Sequence, residues 1–181
     1  MTGASGFLGG HILNALTNKF GRDSVVALTS KEMQNVNYLV YKSFNDFGMQ
    51  RKCFNDITHI LHAGAFTPKD SGQANNIELC FENIQFTKNL LSYKFSKLNR
   101  IVNISTLDVY AETQNRLNEK SNIKPISLYG SSKLYCEEMV KVFSDQKDIS
   151  YMNLRIGHVY GPGEEKYKKV IPVAIQNIIE N

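Results

Sequence analysis

The sequence predicts an α/β fold, a doubly wound parallel sheet, on three observations. Short β-branched runs alternate with longer stretches of helical periodicity. A glycine-rich turn, Gly3-Ala4-Ser5-Gly6-Phe7-Leu8-Gly9, opens the chain directly before a helical stretch. Strands separated by helices of this length join as right-handed crossover units, whose helices cover both faces of a parallel sheet.

The elements follow in order. Residues 7–19 read as a helix, with Leu8, Ile12, Leu16 and Phe20 at four-residue steps. Residues 24–29 (SVVALT) and 36–41 read as strands, and 49–54 as a brief helix. Residues 57–62 (ITHILH) form a strand, and 72–97 are mostly helix with Ile77, Phe81, Ile84, Leu90 and Leu91 on the apolar side. Residues 100–105 (RIVNIS) form the next strand. Residues 107–126 are a long irregular stretch, and such loops in compact domains are often functional. A helix over 127–143, a strand over 151–156 and an apolar helix over 167–180, interrupted near Pro172, complete the chain. Residues 1–181 contain no repeat, low-complexity tract or flexible linker and read as one domain.

Composition narrows the function. The chain is 42% hydrophobic and 21% charged, as in soluble globular proteins. The net charge of +4 is scattered. The one cluster, Lys166, Lys168 and Lys169, reads as a solvated helix face, so no nucleic-acid partner is expected. No apolar run reaches the ~20 residues that span a bilayer, and no apolar leader opens the chain. No membrane partner is expected. Cys53, Cys80 and Cys136 are odd in number and lack metal-ligand spacing. They read as reduced core thiols of a cytoplasmic protein, with no metal, and no histidine motif marks one as a nucleophile.

Gly3, Gly6 and Gly9 suit a pyrophosphate. One glycine permits a tight turn, one lets backbone N–H groups approach phosphate, and one lets the helix pack closely. The helix N-terminus then directs partial positive charge at the anion. About 20 residues on, a dinucleotide site presents a polar group to the adenosine ribose. Here Thr29, Ser30 and Lys31 stand at the strand end, with Glu32 beyond it. Hydroxyls and a lysine tolerate a 2′-phosphate better than a carboxylate does, which leans the cofactor from NAD towards NADP.

The second constellation is Ser105-Thr106 at a strand end and Tyr129-Gly130-Ser131-Ser132-Lys133 on a helix. Spacing of four places Tyr129 and Lys133 on one helical face, where an ammonium would lower the phenol's pKa and make it an acid or base near neutrality. The same pattern occurs at Tyr38–Lys42 and Tyr93–Lys97. The first lies in a strand, where residues four apart stand about 13 Å apart. The second lies at a fraying helix end. Open α/β sheets bind ligands at the carboxyl ends of their strands. Gly9, Thr29, the Ala63-Gly64-Ala65 turn, Thr106 and Tyr129 would gather there.

TGASGFLG, THILHAGA, NISTLDVY, YGSSK and LRIGHVYGPG, in that order, resemble the extended short-chain dehydrogenase/reductases. Within them the chain is similar to the NAD-dependent epimerase/dehydratase family acting on nucleotide sugars. The resemblance implies a Rossmann domain, NAD(P)-binding, and a smaller C-terminal substrate domain. It places the first strand and the substrate domain outside residues 1–181, so the domain reads as truncated at both ends. It implies that Gly3, Gly6 and Gly9 hold the pyrophosphate with Phe7 and Leu8 beside it, and that Ala63, Gly64 and Ala65 line the nucleotide. Thr106 would bond the reacting sugar oxygen, Tyr129 would exchange its proton, and Lys133 would bond the nicotinamide ribose. Arg155 to Gly163 would form a floor between cofactor and sugar.

Two positions depart from the family pattern. His158 stands where many relatives carry Asn, as a substrate contact or a buried structural histidine. Leu107-Asp108 replaces the acid pair of the dehydratases, leaving Asp108 as acid or loop cap. Epimerisation or carbonyl reduction of a nucleotide-sugar substrate is therefore expected ahead of dehydration. A non-catalytic NAD(P)-binding sensor or scaffold and a reductase of non-sugar carbonyls are the alternatives. Relatives dimerise through the two long helices, so a homodimer is open to this chain.

Overall fold

The computed structural model describes residues 1–41, 43, 54–164 and 170–180. Two sets of strands run parallel. Strand β1 (Val26–Thr29) pairs with β2 (Asn37–Val40), Val26 opposite Asn37. Strand β3 (His59–His62) pairs with β4 (Arg100–Thr106), which pairs with β5 (Ser150–Ile156). Thr2 joins the sets, bridging in parallel to Leu28 on one side and His62 on the other. Its N–H donates to the Leu61 carbonyl at 2.9 Å, and the Leu28 N–H donates to the Met1 carbonyl at 2.7 Å. Thr2 thus lies between β1 and β3. The doubly wound parallel fold stands.

Helix α1 (Phe7–Phe20) follows the glycine turn and ends at Gly21, φ 85°, whose N–H reaches the Thr17 carbonyl. Its buried Leu13 packs with Ala4, Val25 and Ala27. On the other side Leu28, Ile60, Phe86, Leu90, Leu98, Ile101 and Val140 form the larger core.

Several expectations shift. The strand expected from residue 24 starts at Val26, because Arg22–Ser24 form a 3-10 turn and the Ser24 hydroxyl bonds back to the Phe20 carbonyl at 2.7 Å. The helix expected over 72–97 is two, α2 (Ser71–Ala74) and α3 (Ile77–Leu91). Asp70 and Asn76 each cap a new start, accepting from Gln73 and Leu79 N–H. Tyr93 and Lys97 therefore lie beyond the helix.

Helix α4 (Leu128–Lys147) outruns its expected end, closed by Asp148 in the left-handed conformation, φ 54°. Helix α5 (Val170–Ile179) runs through Pro172 unbroken. The expected helix over 49–54 lies outside the described residues except for Phe54, as do Cys53, Lys42, Lys166, Lys168 and Lys169.

Candidate active site

The glycine turn meets β3. Gly3 takes φ 72°, and a Cβ there would fall 2.6 Å from the Ala63 carbonyl and the Gly64 nitrogen. The Gly6 N–H closes the turn on the Gly3 carbonyl at 3.0 Å. A Cβ on Gly9 would overlap that same carbonyl, so α1 presses directly on the turn. The Thr2 hydroxyl accepts from the Gly64 N–H at 2.9 Å and contacts His62 Nδ1 at 2.7 Å. Gly3 is thereby brought against Ala63 and Gly64, and Gly6 and Gly9 against Gly3. The first turn of α1 has neither a side-chain cap nor an acidic residue. Its orphan N–H groups and positive end face whatever lies over the turn.

At the end of β1, buried Thr29 accepts the Lys31 N–H at 3.3 Å. Ser30 bonds the Tyr41 phenol, and Lys31 is exposed.

On the other side of β3, β4 ends at Thr106, whose hydroxyl accepts the Asp108 N–H at 3.2 Å and caps a 3-10 turn over Leu107–Val109. The rest of the long stretch folds back on itself. Tyr110 bridges antiparallel to Ile123, and the Ala111 N–H donates to the Asn122 carbonyl at 2.8 Å. Ser127 caps α4 by accepting the Gly130 N–H at 3.0 Å. A Cβ on Gly130 would overlap the Asp108 carbonyl, so only glycine lets α4 start against this turn.

Tyr129 (8% exposed) and Lys133 (4%) are both buried on α4. The phenol is pushed up to about 12, first by burial and then by the Asp108 charge, while the hydroxyls of Thr67 and Thr106 bond it and pull the other way. The expectation that Lys133 lowers this pKa is therefore corrected. Within the protein alone, desolvation wins and Lys133 is not among the groups acting on the phenol. Burial lowers the Lys133 pKa, against the opposing pull of Cys136 and Glu137. Among the described residues the Lys133 ammonium makes no hydrogen bond.

These features fit a bound dinucleotide: an uncapped helix end, a turn closed to any Cβ, and a buried lysine one helical turn from Tyr129. Residues 157–164 fold back onto α1, where His11 Nε2 contacts the Pro162 carbonyl at 2.9 Å. His158 is exposed, which removes the reading of a buried structural histidine.

The structure adds residues that the sequence did not single out. Thr67 bonds the phenol, and the Phe66 ring stands edge-on to Tyr129 at 6.5 Å. Glu137, in the turn after Lys133, accepts from Arg155 and Ser105. The spacing from Tyr129 through Lys133 to Glu137 was the available signal for the last. Cys80 and Cys136 are free and buried. Among the described residues no cluster of His, Cys, Asp or Glu could hold a metal ion, and no helix is long and apolar enough to cross a membrane.

The model of the NAD dependent epimerase/dehydratase family matches residues 1–181. The chain belongs to that family. Among curated members it is 26% identical, over its whole length, to 48% of a dTDP-D-glucose 4,6-dehydratase of Dictyostelium discoideum. It is equally 26% identical, over 96% of its length, to 58% of an ADP-L-glycero-D-manno-heptose-6-epimerase of Brachyspira hyodysenteriae. The chain thus spans about half the length of these family members. In fold it matches the dTDP-glucose 4,6-dehydratase DesIV of Streptomyces venezuelae, solved with NAD bound. There the TM-score is 0.76 at 22% identity, over 99% of this chain and 61% of that one.

Proposed function

We propose that the protein is an NAD(P)-dependent enzyme that oxidises and re-reduces, or reduces, a carbon of a nucleotide sugar, with Tyr129 as acid and base. The observation that carries this reading is the hydrogen-bonded neighbourhood of Thr106 and Tyr129 at the end of β4, with the buried Lys133 ammonium one helical turn on. The family is NAD dependent by description, and its members quoted above act on nucleotide sugars as a dehydratase and an epimerase.

The chain's own residues divide the work. Gly3, Gly6, Gly9 and the α1 N-terminus hold the pyrophosphate, Phe7 and Leu8 lie beside it, and Ala63, Gly64 and Ala65 line the nucleotide. When bound, the nicotinamide supplies the hydride chemistry. Thr106 holds the reacting sugar oxygen and Tyr129 takes its proton. A phenol pushed up to about 12 gives up its own proton only when positive charge is added beside it, which an oxidised nicotinamide ring would supply, while Lys133 would hold the ribose. Asp108 and His158 stand on the substrate side. Leu107 leaves Asp108 as the lone acid after Thr106, which favours epimerisation or reduction over elimination of water. At the β1 end Thr29, Ser30 and Lys31 offer no carboxylate, which keeps the lean towards NADP.

A homodimer through α3 and α4 is part of the proposal. It is supported by exposed Phe81, Tyr135 and Val142 on these helices, and light scattering of the full protein tests it. For the enzymatic reading the test is Tyr129→Phe. Turnover should fall about 10²- to 10⁴-fold while NADH affinity holds. Unchanged turnover would end the assignment, and NADH binding without turnover of any nucleotide sugar would favour the sensor instead.

A further inference from the structure

One carboxylate ties together the elements that carry the candidate active site. Glu137 is 3% exposed, on the face of α4 that also carries Tyr129 and Lys133. It accepts the Ser105 hydroxyl at 2.5 Å, Arg155 Nε at 3.0 and 3.2 Å, and Arg155 Nη2 at 2.7 Å. Ser105 directly precedes Thr106 in β4. Arg155, on β5, also lies over the Tyr110 ring at 4.8 Å, and Tyr110 bridges to Ile123 across the long loop. The carboxylate therefore joins α4, β4, β5 and the loop that carries Asp108.

Packing alone does not call for this group. A buried ion pair gains little over apolar side chains of the same volume, because both charges are desolvated. What it supplies is direction. A two-pronged guanidinium–carboxylate pair fixes angle as well as distance.

We propose that Glu137 is a positioning residue of this site: its carboxylate, gripped by Ser105 and by the Arg155 fork, fixes where Thr106 stands relative to Tyr129 and Lys133. The inference rests on Thr106, Tyr129 and Lys133 being the reacting set. An electrostatic consequence accompanies it. The ionisable groups acting on Lys133 are Cys136 and Glu137 of its own helix, and His62 of β3 feels the Lys133 charge in turn. Those acting on Glu137 from outside its helix are Arg155 and, through its hydroxyl, Ser105. Of these Glu137 is the carboxylate, and with Cys136 it favours the Lys133 ammonium against burial.

The test compares the full wild-type protein with Glu137→Gln, Arg155→Lys and Tyr129→Phe. It reads kcat, its pH profile, NADH affinity, and the crystallographic separation of the Thr106 and Tyr129 hydroxyls. Glu137→Gln should lower kcat about 30- to 100-fold, lengthen that separation, and leave NADH affinity within about threefold. It should also move the alkaline limb of kcat to lower pH, since Lys133 would lose its proton sooner. Arg155→Lys keeps the carboxylate but not the fork, so it should lower kcat about 3- to 10-fold without moving that limb.

Glu137→Gln with wild-type kcat and an unmoved limb would overturn the proposal. If that variant does not fold, wild-type kcat in Arg155→Lys does the same. A wild type that turns over no nucleotide sugar, matched by Tyr129→Phe, would overturn the functional reading instead. The hydroxyl separation in Glu137→Gln would then decide the positioning claim by itself.

Discussion

At the scale of single residues, His62 links chemistry to stability. Its ring lies between the Thr2 and Thr87 hydroxyls, at 2.7 and 3.1 Å, fully enclosed. Burial, with Lys133 adding to it, lowers its pKa to about 3. The unfolded chain binds a proton on this histidine near pH 6.5, whereas the folded one does so only near 3. The contribution is therefore fully present above pH 6.5 and is lost as pH falls from there towards 3. The slope approaches about 1.4 kcal/mol per pH unit for this one group. Urea melts between pH 7 and 4 should show this slope in the wild type and a shallower one in His62→Gln; parallel slopes would contradict it. The neutral ring also explains why sequence reading passed His62 by. A histidine within ITHILH announces a strand, and its partners, 60 and 25 residues away, are set by tertiary packing.

At the scale of elements, the glycine turn and α1 act as one piece. Gly9→Ala would press a methyl onto the Gly3 carbonyl, costing about 1–3 kcal/mol in stability. It should also weaken NADH binding, as read by fluorescence titration. An unaltered melting temperature would show that the turn yields. This piece was legible in the sequence because its signals are local: glycines at fixed spacing and a four-residue apolar step. The motifs at β3, β4 and α4 were legible for the same reason. Element ends were less so. The split between α2 and α3 is made by the Asn76 side chain capping Leu79, and Ser24 bonds Phe20 instead of continuing a strand. Such side-chain-to-backbone bonds compete with regular structure and leave little trace in hydrophobic periodicity. Nor did any local pattern bring Arg155 to Glu137, since that pairing depends on how α4 lies across β4 and β5.

At the scale of the whole molecule, the parallel sheet assembles the candidate site by bringing loops from distant parts of the chain to one end. Its larger core is centred on Phe86, fully buried between β3 and the α3–α4 layer and 5.4 Å from the His62 ring. Phe86→Ala should destabilise by about 3–5 kcal/mol, and a loss below about 1 kcal/mol in a urea melt would mean that the core closes over the gap. The proposed chemistry gathers at the carboxyl ends of the strands, where the Tyr129 phenol stands by the Thr106 hydroxyl. The most direct measurement is single-turnover reduction of bound NAD(P)⁺ by nucleotide sugars, followed at 340 nm in the wild type and Tyr129→Phe. A rapid absorbance rise is expected in the wild type and a rise slowed about 10²-fold or more in the variant, with equal cofactor occupancy. Equal rates in the two proteins would contradict it.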